Sequence, residues 1–556
     1  RMRQVWWGLV LLLGSWSRGD KFDDIYHLGE QALVHGDLPT AALYLEQASQ
    51  MDPTDYFSAG NLGIAYYELG QREQAIKALR RAIILLPSGF SFYANLAQAL
   101  WGQGEVLEAI RVLRTASRLE RDDGAVTALL IKLSLYTCRA MDDWSFLIGR
   151  TQRILTAEVA ERLATGAGVM SWDPSASLLL PLPPATVTAV STATAFDIQK
   201  QVAHFPPLLW THCPRSARLR VGYLSYSFGA GVRNGLMVRV FELHNVQRVE
   251  VFGYAIRPHD RDATAEDKAA VEKKVEHFVD VSKLGVEALS DRINADCPHV
   301  LVDLLGLHDN GTVLYQVYAR QPAPVQLAYM AFAGSTGGTF INYFVGDALT
   351  TPPEYSSHFS EKLFLTPRTY HVNSHATRVP LSELPSPPPA SEARREVGLD
   401  PSGALLCSFN QFFKIHPPIL TAWLDVLQQQ PGVNLTLVEL AFHPQVLPWI
   451  RDYATRRGVN PARILSMPKL KLAQHLRRAA MCDVHVDSTL QSGHTTVVDA
   501  TWAGVPSVTR TSPFPLRTLC SSPLVFVRHS PLLATPPHSV SDSHPLLPSP
   551  PLPSHP

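Results

Sequence analysis

A glycine-containing turn, Ser492-Gly-His-Thr-Thr496, has residue types suited to binding a diphosphate. A turn followed by hydroxyl residues at a helix start leaves backbone N–H groups without partners at the positive end of the helix dipole. His494 can add one more hydrogen-bond donor. A purely structural alternative, in which Thr495 or Thr496 is only the N-cap of the helix, remains open at this point.

Lys414 ends the string Phe409-Asn-Gln-Phe-Phe-Lys414, which follows a predicted strand. A lysine at the carboxyl end of a strand can point into a cleft and neutralise the charge on a departing nucleotide phosphate. Taken alone, a solvated surface lysine is the commoner interpretation of this residue type. Lys414 is therefore a candidate that its spacing alone does not establish.

Two further polar groups lie close by in the sequence. His475 and Arg478 stand at i and i+3 on one predicted helix face, where the imidazole can stack on a planar base or the pair can simply form a basic patch. Asp483, His485 and Asp487 alternate along one strand face. A divalent-metal site there is weighed against a strand end beside a cleft, which is favoured because no second ligand cluster accompanies the three residues.

Alternating strand-like and helical segments surround these candidates and predict two parallel sheets. In a first unit, the predicted strands are the start of the segment Leu219–Gly229, then Val249–Tyr254, Val300–Leu305 and Val325–Phe332. In a second unit they are Ala404–Phe409, Leu435–Val438, Arg463–Met467 and Asp483–Val486. Two such Rossmann-like units create a cleft between facing strand ends, where α/β folds bind ligands. This architecture suits a nucleotide-sugar transferase.

A repeat of 34 residues precedes these units, in blocks 22–55, 56–89 and 90–123. Glycine recurs at the turn inside each block, and small residues recur where two helices must approach closely. The matching positions are Leu28, Leu62 and Leu96; Gly29, Gly63 and Ala97; Gly36, Gly70 and Gly104; Ala41, Ala75 and Ala109; Leu45, Leu79 and Leu113; and Ala48, Ala82 and Ala116. The pattern resembles tetratricopeptide repeats and predicts an α-solenoid.

Position 6 of the repeats carries His27, Asn61 and Asn95. Asparagines stacked on a concave surface can hydrogen-bond the backbone of an extended peptide. The alternative is a pair of ordinary surface amides, and the spacing does not decide between the two.

The composition indicates a multidomain globular chain of 556 residues. Lys and Arg total 49, as do Asp and Glu, so no global basic field favours nucleic acid as a partner. Six cysteines without a CxxC pair predict neither a disulfide framework nor a cysteine-based zinc site. Such cysteine usage favours a reducing compartment.

The two ends of the chain differ in composition from the rest. Residues 1–21 carry a charged start and an apolar run that is typical of a signal peptide or of a helix end, and the run is too short to span a bilayer. We favour a cytoplasmic or nuclear location, with secretion the minority interpretation and no stable membrane insertion. Nine prolines lie within 531–556, so a disordered tail is expected over 522–556.

From Phe22 to about Ser521 the chain resembles the O-linked N-acetylglucosamine transferase family, in which tetratricopeptide repeats precede a two-lobed GT-B catalytic region. The matching strings are Arg220-Val-Gly-Tyr223, Arg320–Gln326, Ser360-Glu-Lys-Leu363, Phe409–Ile415, His475-Leu-Arg-Arg478, Gly493-His-Thr-Thr496 with Asp499, and Trp502-Ala-Gly504. The resemblance implies transfer of N-acetylglucosamine from UDP-GlcNAc to Ser and Thr hydroxyls of proteins, without a metal or other cofactor. The alternatives are a SPINDLY-like protein O-fucosyltransferase that uses GDP-fucose and a catalytically inactive scaffold.

The resemblance also implies residue roles. Lys414 corresponds to a phosphate ligand, His475 to a residue packed against uracil, and Asp296 and His299 to an acidic residue and a histidine near the reaction centre. The donor-binding set is Gln411, Lys414, His475, Arg478, His494, Thr495, Thr496 and Asp499. Asn61 and Asn95 correspond to the family's peptide-binding asparagines. Lys414, Asp296 and His299 are thus the expected catalytic residues.

Some positions depart from the family pattern. Gly231 and Gly235 stand where histidines are expected, and Leu472 stands at a lysine position of the uridine site, with Lys471 one place away.

The domain bounds follow from these signals. We expect repeats over 22–123, a helical connector over 124–218, a first lobe over 219–379, a linker over 380–400 and a second lobe over 401–521. We also expect the second lobe to lack its closing helices.

Overall fold

The computed structural model describes residues 20–138, 144–166, 172–211, 213, 216–226, 228, 232–256, 271–307, 311–330, 332–379, 390–396, 402–439 and 446–509. The predicted apolar N-terminal segment, most of the predicted linker and the proline-rich tail lie outside these residues, as does Gly231. Within the described part, no helix is long and apolar enough to cross a membrane.

Six helices form the three predicted repeats as antiparallel pairs. They are α1 (Asp20–His35), α2 (Leu38–Met51), α3 (Tyr56–Glu68), α4 (Arg72–Leu85), α5 (Phe90–Gln103) and α6 (Val106–Leu119). The glycine between the helices of each pair has a positive φ, at +77° for Gly36, +78° for Gly70 and +95° for Gly104. Only glycine adopts this conformation without steric cost, which explains its recurrence at this position.

The small residues of the repeat lie where the paired helices touch. Ala41, Ala75 and Ala109 are fully buried. A Cβ atom on Gly63 would lie 2.6 Å from Cγ of Leu79, so only glycine fits opposite that leucine. The predicted solenoid and its helix contacts are therefore present in the structure.

Four more helices connect the solenoid to the sheets, namely α7 (Gly124–Tyr136), α8 (Trp144–Thr165), α9 (Pro174–Ser177) and α10 (Pro184–Val202). One buried apolar cluster runs from the second repeat through these helices into the first sheet. This shared core joins the solenoid to the first lobe through the connecting helices.

The first lobe is a parallel sheet of seven strands in the order β3-β2-β1-β4-β5-β6-β7. Its elements are β1 (Leu219–Ser225), α11 (Val232–Glu242), β2 (Val249–Ala255), β3 (His277–Asp280), α12 (Val286–Asp296), β4 (Val300–Asp303), α13 (Gly311–Ala319), β5 (Val325–Ala328), β6 (Tyr343–Asp347), β7 (Lys362–Thr366) and α14 (His375–Arg378). A 3₁₀ helix spans Pro353–His358. The strand order reverses between β1 and β4, and such a switch point opens a crevice at the carboxyl ends of the strands.

The second lobe is a parallel sheet of five strands in the order β10-β9-β8-β11-β12. Its elements are α15 (Ala390–Glu396), β8 (Ala404–Ser408), α16 (Pro417–Gln429), β9 (Val433–Glu439), α17 (Val446–Arg456), β10 (Ile464–Pro468), α18 (Leu472–Ala479), β11 (Val484–Val486), α19 (Thr495–Trp502) and β12 (Ser507–Val508). Short 3₁₀ helices span Phe412–Lys414 and Pro461–Arg463. The fold is thus the predicted α-solenoid followed by two Rossmann-like lobes.

The cysteines correct one prediction. Disulfides join Cys213 to Cys297 and Cys407 to Cys482, with Cα–Cα distances of 5.5 and 6.0 Å. Cys407 lies on β8, and Cys482 lies just before β11, which pairs with β8. The absence of a disulfide framework was wrongly inferred from sequence spacing because the folded sheet brings distant cysteines together.

Candidate active site

The carboxyl ends of β8 and β11 lie side by side and carry the loops of the candidate site. Asp487 organises both loops from its buried position. Its carboxylate accepts hydrogen bonds from the Ser492 hydroxyl at 2.5 Å, from the Gly493 amide at 2.8 Å and from the Asn410 side chain at 2.8 Å. These bonds fix the turn before α19 against the loop that follows β8.

The start of α19 matches the anion-binding turn expected from the sequence. His494 is the N-cap residue, with φ 45° and ψ −89°, and its side chain makes no capping bond. The Thr496 hydroxyl donates instead to Oδ1 of Asn410 at 3.0 Å. The Thr496 amide donates to the Gly493 carbonyl oxygen at 3.2 Å. Since no side chain caps this helix, the other N–H groups of its first turn keep their capacity to bind an anion.

Lys414 lies against the same turn. It ends the short 3₁₀ helix Phe412–Lys414, and its Nζ donates to the Ser492 carbonyl oxygen at 2.9 Å. Desolvation of the ammonium group lowers the pKa of Lys414 to about 8, although the nearby Asp487 acts in the opposite direction. The structure therefore joins Lys414 to the turn, which the sequence could only suggest.

Asp499 connects the two lobes at this site. His375 Nε2, from the first lobe, lies 2.6 Å from Oδ1 of Asp499, and His475 Nε2 lies 3.5 Å from Oδ2. Burial opposes ionisation of Asp499, but the hydrogen bonds from His375 and His475 outweigh it and lower its pKa. Asp499 is thus held as a carboxylate between two imidazoles.

His371 and His375 were not among the sequence candidates. They follow β7 in the string Tyr370-His-Val-Asn-Ser-His375. The His371 ring stacks on that of His494 with centroids 6.0 Å apart, and desolvation lowers its pKa to about 4. Two histidines directly after a parallel strand are the sequence signal that could have identified them.

His475 and Arg478 are brought together, as their spacing predicted. An Arg478 terminal nitrogen lies 2.7 Å from Nδ1 of His475, and a second one donates to the carbonyl oxygen of Pro468. The Phe409 and His475 rings pack in a T-shaped arrangement, with their centroids 4.8 Å apart. Arg478 therefore orients the imidazole, while Gln411 precedes the 3₁₀ helix in an exposed position.

Asp296 and His299 lie elsewhere. Asp296 ends α12 and bonds to Arg292 at 3.0 Å and to the Tyr254 hydroxyl at 3.2 Å. His299 precedes β4, and its Nδ1 accepts from the backbone N–H of Arg220 at 2.9 Å, at the start of β1. Both residues thus occupy the amino edge of the sheet, opposite the carboxyl edge that carries His371 and His375. This position does not fit the expected catalytic role.

The two asparagines of the repeats are buried, at 0% exposure for Asn61 and 4% for Asn95. The Asn61 amide donates to the Tyr26 hydroxyl of the first repeat at 3.0 Å. Neither residue is therefore an ordinary surface amide, and their expected peptide-binding role stays a prediction.

The alternating residues around β11 do not converge on one point. Asp483 bonds to Arg394 at 2.7 Å and to the Leu405 amide at 2.7 Å, whereas Asp487 holds the turn described above. His485 is fully buried in the sheet. These contacts indicate that the three residues belong to a strand and its end beside the cleft, and they do not favour a metal site.

Gly235 faces an arginine of the first lobe. A Cβ atom built on Gly235 would lie 2.1 Å from a terminal nitrogen of Arg378. The guanidinium group thus occupies the space into which a histidine at this position would project.

Two parallel-sheet lobes, with a lysine and a helix start without a side-chain cap at the strand ends of the second lobe, are the architecture of a two-lobed glycosyltransferase. The chain belongs to glycosyl transferase family 41, whose family model matches residues 141–384 and 382–535. A TPR repeat model matches residues 63–104.

Curated relatives are similar to this chain over part of their length. The chain is 35% identical over 292 residues to the probable UDP-N-acetylglucosamine–peptide N-acetylglucosaminyltransferase SEC of Arabidopsis thaliana, covering 52% of this chain and 29% of the relative. It is 25% identical over 492 residues to the UDP-N-acetylglucosamine–peptide N-acetylglucosaminyltransferase of Caenorhabditis elegans, covering 68% of this chain and 41% of the relative. The chain thus spans less than half of the length of either relative.

A solved structure supports the fold. An O-GlcNAc transferase mutant from Thermobaculum terrenum superposes with a TM-score of 0.55 at 22% identity, covering 90% of this chain and 85% of the other. The solenoid and both lobes therefore follow a known arrangement.

Proposed function

We propose that the chain is a protein O-GlcNAc transferase, which moves N-acetylglucosamine from UDP-GlcNAc to Ser and Thr hydroxyls of proteins. One observation carries the proposal: Lys414 and the uncapped start of α19 meet at the Ser492–Gly493 turn. Together they offer an ammonium and backbone N–H groups to the two phosphates of a nucleotide sugar. The names of the SEC and C. elegans relatives, which specify UDP-N-acetylglucosamine and a peptide, support this donor and acceptor.

In the proposed reaction, the acceptor oxygen forms a bond to the anomeric carbon while the bond from that carbon to the diphosphate breaks. The electron pair leaves on the phosphate oxygen, where Lys414 and the first turn of α19 stabilise the negative charge. The hydroxyl proton passes to water, because Asp296 lies at the opposite edge of the sheet. No step of this scheme uses a metal ion.

The remaining donor residues are assigned to the nucleoside and the sugar. Both ring nitrogens of His475 have partners, Arg478 and Asp499. The imidazole would therefore contact uracil through the face of its ring. We assign Asp499 to the ribose, and His494, Thr495, Thr496 and Gln411 to the diphosphate and sugar. The repeats would hold the protein substrate, and the peptide-binding role of the buried Asn61 and Asn95 stays a prediction.

Radiolabel transfer tests the proposal. The purified chain is incubated with radiolabelled UDP-GlcNAc or GDP-fucose and a peptide rich in Ser and Thr. We expect label on the peptide from UDP-GlcNAc only. Transfer from GDP-fucose alone would instead support the SPINDLY-like protein O-fucosyltransferase.

An inactive scaffold is the second candidate, and Gly235 is the observation that favours it. Where the family pattern has a histidine, this chain has glycine with the Arg378 guanidinium in its place. UDP binding by calorimetry separates this case from a misfolded preparation. A chain that binds UDP but transfers neither sugar would be a scaffold.

We propose a cytoplasmic or nuclear location, where protein hydroxyls are accessible as substrates. The reducing conditions of these compartments would oppose the Cys213–Cys297 and Cys407–Cys482 disulfides of the structure. Alkylation of the cysteines in intact cells, followed by mass spectrometry, tests this. Full protection of both pairs from alkylation would contradict the proposed location.

A further inference from the structure

A cavity of about 630 Å³ lies between α6 and α8, at the end of the solenoid. None of its lining residues belongs to the candidate active site. Its basic residues are Arg114, Arg118, Arg121, Arg150 and Arg153. We refer to it as the arginine cavity.

The arginine cavity carries more positive than negative charge. Asp122 is the one carboxylate among its lining residues. The neighbouring Asp123 caps α7, where its carboxylate accepts from the Val126 amide at 2.7 Å, and it also attracts the Arg150 guanidinium group. Five guanidinium groups therefore line the cavity together with one carboxylate.

Arg150 forms the floor of the cavity and is only 3% exposed. Its terminal nitrogens donate to the Ser117 hydroxyl and to the Glu120 carbonyl oxygen, while its Nε has no hydrogen-bond partner in the described structure. Desolvation lowers the pKa of Arg150; the carboxylates of Asp122 and Asp123 oppose this shift, and Arg153 and Arg121 add to it. A bound anion would interact favourably with these guanidinium groups.

The rim of the cavity is apolar. Phe146 lies at the edge with 66% of its surface exposed, and Leu130 and Leu147 complete this side. A ligand with an anionic group beside an apolar group matches this lining.

We propose that the arginine cavity binds a phosphorylated segment of a protein. The phosphate would bind to Arg118 and Arg121 above Arg150, since guanidinium groups bind phosphate through paired hydrogen bonds. An apolar neighbour in the segment would pack on Phe146. A cavity of this size suits a phosphorylated side chain, and the balanced charge of the whole chain argues against a nucleic-acid track.

Fluorescence anisotropy tests the proposal. The probes are a labelled pool of short peptides with phosphoserine at a fixed position beside Leu or Phe, and the same pool without phosphate. We expect binding of the phosphorylated pool to be at least tenfold tighter than that of the other pool, and to weaken as salt is raised. The double variant Arg118→Gln/Arg121→Gln should bind at least tenfold more weakly than the wild type.

The matched control is Arg111→Gln/Arg395→Gln, which removes two exposed arginines outside the cavity and should leave binding unchanged. Phe146→Ala provides a second variant without a charge change and should also weaken binding. Equal binding of both pools, or an equal loss in the control variant, would overturn the proposal. Preferential binding of phosphatidylserine vesicles or of DNA through Arg118 and Arg121 would overturn it as well.

Discussion

The Lys414 ammonium is held by the carbonyl oxygen of Ser492 and has no carboxylate bonded to it in the described structure. Such a cation is available to a phosphate that enters the site. Asp487, the nearest acidic group, is occupied by the Ser492, Gly493 and Asn410 hydrogen bonds. The arrangement keeps the positive charge directed at the proposed donor.

The first prediction concerns the loss of this charge. Lys414→Ala should lower kcat about a hundredfold or more, because the charge on the leaving diphosphate loses its closest stabilising group. Steady-state rates with UDP-GlcNAc measure the effect. Lys362→Ala removes an exposed lysine of β7 and is the control. A mild loss, similar to that of the control, would reject the role of Lys414.

A second prediction follows from the pKa of Lys414 at about 8. The protonated ammonium is the form that binds phosphate, so kcat/KM should fall as pH rises through about 8. Lys414→Arg keeps its charge at every accessible pH. We expect this variant to be slower but to lose the alkaline fall, and a persistent fall would assign the titration to another group.

At the scale of elements, the helices of a repeat pack so closely that a glycine at their contact cannot be replaced by a larger residue without moving them apart. Gly63 on α3 faces Leu79 on α4 with no space for a Cβ atom. Gly149 on α8, in contrast, has nothing within 4 Å of such an atom. The same substitution, glycine to alanine, can therefore be compared at a tightly packed helical position and at an open one.

The third prediction uses this comparison. Gly63→Ala should destabilise the protein by about 1–3 kcal/mol, because the added methyl group forces α3 away from α4. Gly149→Ala should stabilise it by up to about 1 kcal/mol through helix propensity. Urea unfolding measures both changes, and a stable Gly63→Ala variant would contradict the close approach of the helices.

At the scale of the whole molecule, the lobes meet through His375 and Asp499. The helical connector also reaches the site, since Tyr136 of α7 packs against Phe413 with ring centroids 5.1 Å apart. Cys138 lies buried at the end of the same segment, and its sulfur lies 3.6 Å from the Phe412 carbonyl oxygen. The 3₁₀ helix of Lys414 is thus supported from outside its own lobe.

The fourth prediction tests the contact between the lobes. His375→Ala leaves the buried Asp499 without its closest partner, and breaking a buried pair costs about 3–5 kcal/mol. We expect a lower melting temperature and a higher KM for UDP-GlcNAc, with a smaller change in kcat. The control, His204→Ala, alters an exposed histidine. An unchanged KM would show that this contact does not shape the donor site.

The sequence by itself determined the repeats, the two α/β lobes and the turn at Gly493. These features are local: a 34-residue period, strand–helix alternation and a helix start are set by neighbours in the chain. It also identified His475 with Arg478, which are one helical turn apart. The donor roles assigned from resemblance stay predictions until transfer is measured.

The tertiary structure decided which residues meet across the chain. His375 and Asp499 are 124 positions apart, and the cysteines of each disulfide are 84 or 75 apart, so no spacing could pair them. Asp296 and His299 matched a pattern, yet the strand direction places them at the amino edge of the sheet. Which edge a residue occupies depends on strand order and direction, and these follow from packing of the whole core.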